Sequence, residues 1–459
     1  MNQQTEKDLS AESVALSEYI AGTLDRNMPP PVAEKTRHHI LDTLAAILSG
    51  SRLRAGQLAA GYAERFGGAQ EATILGTALL VPAELAALAN GMAGHADETD
   101  DSHLAGRFHP GCGIVPAALA VAELADRSGM DFLRAVTLGY DVGARLNLSL
   151  GYRQPNNAIG HSTHSLGTAF GAAAAAAALL RFEPARVRHV ISYAAQQASG
   201  VPYWHRDSEH VEKAFDFGGM GARNGVAGAM MVAAGFSGID DPFSGRNHFY
   251  TAFGEKPDPG ALTYELGSRF EIMAASIKKW CVGSPIQSVL DATSALVAEH
   301  RLRAIDVQKV RITMPDDRMH IVDNRSMPDV CVQYCAAIVI LDGTLSFAAA
   351  HDEARMTEKA VQAMRDRIEL VPSPELTSAV PARQAIVEID LTDGRKLRHH
   401  ARAVRGTPDN PMTAQEIEDK ALDLVTPVIG AERGKRLVAM VDQLATLGSV
   451  RELRPLLRA

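Results

Sequence analysis

Nine residues, HADETDDSH at 95–103, gather two histidines and four acids directly after an apolar run. Three chemistries suit such a cluster. Oxygen and imidazole donors can hold a divalent ion. A histidine can serve as acid or base while neighbouring carboxylates orient it. Or the segment can simply be a solvated loop. The metal reading lacks both the HExxH spacing and the twelve-residue calcium-loop pattern. His109-Pro110-Gly111 follows at once, which a plain acidic loop does not require, so an active-site wall is the leading reading.

Three further segments carry suitable groups. GHSTHSLGTAFG (160–171) sets His161 and His164 before a small-residue helix, whose N-terminus favours a carboxylate. The bland account is a capped helix with exposed histidines. WHRDSEHVEKAFDFGGMGARNG (204–225) carries His205, Arg206, His210, Lys213 and Arg223, cations that suit a di- or tricarboxylate; a charged surface helix explains them equally. IKKWCVGSPIQSVLDA (277–292) reads either as a site rim at a domain boundary or as a linker. No GxSxG, GxGxxG or P-loop is present, so neither a serine nucleophile nor a nucleotide cofactor is expected. Together these residues describe a histidine/lysine acid–base site for a small carboxylate, without cofactor, with a metal-dependent hydratase at the acidic cluster as the alternative.

The elements that must position them fall into two styles. At 459 residues the chain exceeds one ordinary core. Residues 1–272 read as a large all-helical domain. In its first long helix Ile40, Leu41, Leu44, Ile47 and Leu48 share a face, and Gly50 is expected to end it. Residues 273–404 read as a smaller α+β lid domain, with a strand at VQKVRITMP and a hairpin through Asp393-Gly394, expected as a type I′ turn. Residues 405–459 return to helix, with Thr413 and Glu416 spaced as a capping box, and complete the helical domain. The fold class expected is therefore mainly α with an α+β insert.

Bulk properties exclude some partners. With 46% hydrophobic and 22% charged residues the chain is globular rather than disordered. A net charge of −8 argues against nucleic acid. The Ala-rich run at 169–180 is too short to span a membrane. Four cysteines without a CxxC pair, and a polar N-terminal opening expected to fray rather than a secretory leader, point to a cytoplasmic protein.

Taken in order, these segments resemble the MmgE/PrpD family over nearly the whole chain, from HHILDTLAAILSG to NPMTAQEIEDKAL. The resemblance implies a helical domain with an inserted lid, a homodimer, and a cofactor-free lyase acting by proton transfer beside a carboxylate. Dehydration of a 2-methylcitrate-like acid is the reaction expected; epimerisation and decarboxylation of related acids are the alternatives, and a dimeric helical binding protein the non-enzymatic one. Carried over residue by residue, the acidic motif falls on Asp97, Glu98, Thr99, Asp100, Asp101 and Ser102. The His-Pro pair falls on His109-Pro110, and the next family histidine on His161. The lysine before the glycine-rich helix falls on Lys213, with one residue inserted before ARNG. The lid motifs fall on Lys278, Trp280 and Gln333-Tyr334. The catalytic set so implied is His161, His109, Lys213 and Tyr334; the substrate-binding set is Asp97, Glu98, Asp101, Ser102, Lys278 and Gln287. Two residues depart from the pattern: Glu98 replaces an Asp, and Gln287 stands where decarboxylase-like members place a lid histidine. Glutamine cannot transfer a proton.

Overall fold

Residues 9–152 and 160–458 are described by a computed structural model, with the side chain of His205 excepted. Most of the polar opening expected to fray lies outside them. The chain divides into two compact units: Asp97–Thr99 with Ser276–Glu416 form the second, and the remainder forms the first.

The first unit is built of helices: α1 (Ala11–Ala21), α2 (Pro30–Gly50), α3 (Arg54–Phe66), α4 (Ala83–Gly94), α5 (Pro110–Leu124), α6 (Gly129–Ser149), α7 (Thr163–Leu179), α8 (Pro184–Gln196), α9 (Val211–Ala214) and α10 (Met220–Ala233). Prolines occupy the first turn of α2, α5 and α8, where their missing N–H costs nothing. Gly50 is the last residue of α2, with Ser51 as the cap.

Every residue of α7 is buried, so this alanine-rich helix is the centre of the core rather than a surface element. Small residues make that possible. A Cβ on Gly143 of α6 would sit 2.4 Å from the carbonyl oxygen of Gly167 on α7, so the two backbones meet where no side chain fits. The C-terminal segment from Ile417 belongs to this unit, and Lys420 donates to Asp42 of α2 at 2.6 Å.

In the second unit, β1 (Val307–Pro315), β2 (Ile368–Ser373), β3 (Ala385–Leu391) and β4 (Lys396–Ala401) form a sheet of order β2-β1-β3-β4. β1 pairs parallel with β2 and antiparallel with β3, with Val310 opposite Ile368 on one side and Ile389 on the other. Ala385, Val387, Ile389 and Leu391 alternate inward against helix α11 (Gln287–His300), and helix α12 (Val332–Asp342) adds Tyr334, Ile338 and Val339 to the same core. The hairpin differs in its turn. Only Gly394 of the Asp393-Gly394 pair has positive φ, at 88°, and four residues connect the strands. This is a type I turn with a glycine bulge, and Asp393 is spent on the N–H of Arg395. The capping box forms: Thr413 Oγ1 accepts from Glu416 N–H at 3.3 Å, and the Glu416 carboxylate accepts from Thr413 N–H at 2.9 Å.

No helix among the described residues is long and apolar enough to cross a membrane.

Candidate active site

In the first unit α4, buried from Ala86 to Gly94, delivers His95 as its C-cap, and His109 is the N-cap residue of α5. Asp100 lies between the two rings. One of its oxygens is 2.9 Å from His95 Nδ1 and the other 3.0 Å from His109 Nδ1. A carboxylate only accepts, so each imidazole presents Nδ1–H to it and turns Nε2 away as a lone-pair base. Of the two, His95 is wholly enclosed, whereas the His109 side chain is 12% exposed. His109 is therefore the one a substrate can touch.

A second pair of histidines closes round them. His210, in the left-handed region before α9, has its ring 5.2 Å from that of His95. His164, in the first turn of α7, lies 5.4 Å from His109. Phe217 is stacked on His164 at 3.6 Å and on His95 at 4.2 Å, and the Lys213 ammonium lies 5.2 Å from the Phe217 ring centre. Burial, only partly opposed by Asp100, brings His95 down to about 4. Burial, reinforced by His109, His95 and Lys213, holds His164 well below the usual histidine range. Both rings are thus neutral at pH 7. Among the described residues no hydrogen bond reaches the buried His95 Nε2 or His164 Nδ1.

Ligand-type atoms of His95, Asp100 and His109 lie within 4.8 Å of one another, a spacing a divalent ion tolerates. The two N–H···O bonds account for that spacing by themselves.

Asp101, next in the chain, faces the other way. It accepts from His39 Nδ1 at 2.6 Å, Tyr140 Oη at 2.6 Å and Gly111 N–H at 2.8 Å. Burial lowers His39 to about 4 and, with the Asp101 charge, raises Tyr140 well above the tyrosine range. Asp101 thus fixes the first turn of α5, and through it His109.

The second unit holds two buried ion pairs. Asp97 accepts from Thr99 N–H and Oγ1 and lies 2.9 Å from His351 Nε2, while His351 Nδ1 faces the Phe347 carbonyl at 2.8 Å. With an acceptor at each nitrogen, His351 is an imidazolium; Asp97 raises it to about 9 against the opposing cost of burial. Because the folded value lies above the free one, this pair contributes fully below pH ~6.5 and is lost as pH rises through about 9. Urea unfolding should therefore show the second unit weakened by roughly 2–3 kcal/mol between pH 6 and 9.5, a difference that His351→Gln abolishes. Lys278 donates to the Glu98 carbonyl at 2.8 Å and lies 3.4 Å from its carboxylate.

This architecture coincides with a family match on both sides of the chain. Residues 14–261 match the MmgE/PrpD N-terminal domain and residues 280–446 the MmgE/PrpD C-terminal domain. The chain belongs to the MmgE/PrpD family. Relatives of this MmgE/PrpD protein include the cis-aconitate decarboxylase-like protein oryM of Aspergillus oryzae, 26% identical over 479 positions that cover 96% of each chain. Another is the cis-aconitate decarboxylase of Homo sapiens, 25% identical over 452 positions covering 93% of this chain and 90% of that one.

Within this MmgE/PrpD protein the expected residues separate. His109 and Lys213 come together, joined by His95, Asp100, His164 and His210. His161 does not join them: it is half-buried, with its ring 4.8 Å from Phe253. His164, three residues on, is the histidine of that segment that enters the cluster, because only the first turn of α7 faces it. Ser102 is buried beside His103, whose Nδ1 accepts from Gly106 N–H. Asp101 already accepts from three donors within the first unit.

Tyr334 is buried in the second unit's core, donates to the Ala349 carbonyl at 2.7 Å, and is pushed up to about 12 by burial; its hydroxyl is spent on backbone. Gln287 likewise accepts from Trp280 N–H and donates to the Trp280 and Val282 carbonyls, tying a loop rather than facing a substrate. Of the other cations, Arg206 lies over Tyr203 and Arg223 over Phe215, while the His205 side chain is outside the described residues. Residues that sequence reasoning did not single out are Phe217, Asp216, His39, Tyr140 and His351. Asp216 and Phe217 lie within the 204–225 segment and His39 within HHILDTLAAILSG, but none of the five was picked out for its own chemistry.

Proposed function

We propose that this protein is a hydro-lyase that removes the proton beside a carboxylate of a small di- or tricarboxylic acid and expels a β-hydroxyl as water, with no metal or cofactor. The observation that carries this reading is Asp100 holding two imidazoles by Nδ1, with one of them, His109, at the edge of the buried cluster. His109 Nε2 takes the α-proton, and the C–H electron pair becomes the new C=C bond as the hydroxyl leaves. The imidazolium so formed returns its proton to that hydroxyl, and water departs. One histidine therefore closes the proton balance, and no tyrosine acid is needed. Lys213 supplies the positive charge that stabilises the enolate-like state. Neutral His95 and His164 keep the surroundings from repelling that cation.

Decarboxylation is the second reading, favoured by the names of the two relatives. There the C–C electron pair of a departing carboxylate is left on carbon and takes a proton from Nε2 of the same histidine, which must enter this step as its imidazolium, protonated from solvent. Proton NMR in heavy water separates the two, using 2-methylcitrate, citrate, cis-aconitate, malate-type hydroxy acids and iminodisuccinate. Loss of an α-proton signal with a new alkene signal from a hydroxy acid is the expected result, unchanged by prior treatment with a chelator. Carbon dioxide release from cis-aconitate replaces it with the second reading, and diastereomer formation from iminodisuccinate replaces it with an epimerase. If no acid reacts or exchanges, proton transfer is the wrong chemistry. Loss of activity on chelation, restored by a divalent ion, overturns the metal-free part.

A further inference from the structure

The chain between Lys213 and ARNG contains a π-turn, Phe215–Gly219, between α9 and α10. A π-turn adds one residue to a helical turn and so rotates everything before it by about 100° relative to everything after it. The turn is held from two sides. Asp216 accepts from Ser162 Oγ at 2.5 Å, pinning it to the start of α7. Gly218 lies against α4, where a Cβ would come 2.2 Å from the Gly91 carbonyl oxygen. Between those anchors Phe217 lies nearly parallel to two imidazoles from different helices, at 12° to His164 and 20° to His95.

We propose that Phe217 is a positioning residue of this site: an aromatic plate, set in place by the π-turn, that fixes the ring planes of His95 and His164 and keeps water from between them. The inference rests on reading this cluster as the acid–base site. Its physical content is separable from turnover. A ring that is stacked on Phe217 experiences its ring current, and a ring kept dry by Phe217 stays neutral. In the first unit the charged and titratable groups facing these rings are Asp100, His109 and Lys213, joined by His210 at His95 and by His95 itself at His164. None of them is altered by a change at Phe217.

The test is proton NMR of the histidine Cε1–H signals of the full chain across pH, assigned with His95→Gln and His164→Gln. In the wild type both signals should lie upfield of the remaining histidines and titrate well below pH 6. Phe217→Leu keeps the site dry but removes the ring. The upfield displacement should vanish, the midpoints should hold within about 0.3 unit, and kcat should fall roughly tenfold with KM little changed. Phe217→Ser admits water, and the midpoints should rise by about one unit or more. The proposal is overturned if Phe217→Leu retains the upfield displacement, or if Phe217→Ser leaves the midpoints where they were. Should the serine variant not fold, the leucine variant still decides through the ring-current shift. No substrate is needed for these signals. A wild type that shows them but exchanges no α-proton would remove the proton-transfer reading and leave the role of Phe217 intact.

Discussion

Asp100→Asn should lower kcat by about 10³–10⁴ while the protein stays folded. The reason is tautomeric. The aspartate carboxylate accepts from Nδ1 of His95 and of His109 at once. An asparagine keeps one acceptor oxygen, but its other face is an NH₂ that donates. Whichever histidine meets that NH₂ must present Nδ1 as a lone pair, which moves its proton to Nε2. If that histidine is His109, the base is lost. If the amide flips, His109 keeps its tautomer but loses the negative charge that stabilises its imidazolium. KM should change little, because Asp100 is buried behind the rings and does not reach a substrate. Steady-state kinetics checks this. A kcat within threefold of wild type would show that Asp100 does not orient the reacting base.

Asp101→Ala should instead act on stability, by about 3–5 kcal/mol in urea unfolding. Three buried donors converge on this carboxylate: the His39 ring, the Tyr140 hydroxyl and the Gly111 N–H. Removing it leaves all three without an acceptor where water is excluded, and each such group costs about 1–3 kcal/mol. The cost is diminished by whatever water enters the space left by the carboxylate. Activity should fall as a consequence, since Gly111 opens the helix that carries His109. A variant as stable as the wild type but with a raised KM would restore Asp101 to the substrate-binding set in which the sequence placed it. Neighbouring acids of one motif thus divide their work: Asp100 orients bases, and Asp101 fastens the helix beneath them.

Much of the architecture was legible in residue order alone. Helical periodicity, first-turn prolines and small-residue runs are local properties, and they sufficed for the helical body, as did the alternation in VQKVRITMP and AIVEIDL for the sheet. His109 and Lys213, which the structure brings to one cluster, lie in segments dense with polar groups.

The differences between the expected and the observed placements share a cause. Whether a side chain meets a site depends on the rotation of its helix and on which donors already claim it, and neither quantity is local. His161 and His164 are equivalent by composition, yet α7 turns only the second into the cluster. Tyr334 and Gln287 have the right chemistry, but the second unit's backbone consumes it. Phe217 had no polar signature at all, and neither the π-turn that holds it nor the direction in which that turn points the ring could be read from residue order. The sequence by itself determined which helices and strands form and where reactive residue types concentrate, because those follow from side-chain size, period and capping. Only the tertiary structure decided which of those groups keep a free lone pair, because burial and hydrogen-bond competition are settled between segments distant in the chain.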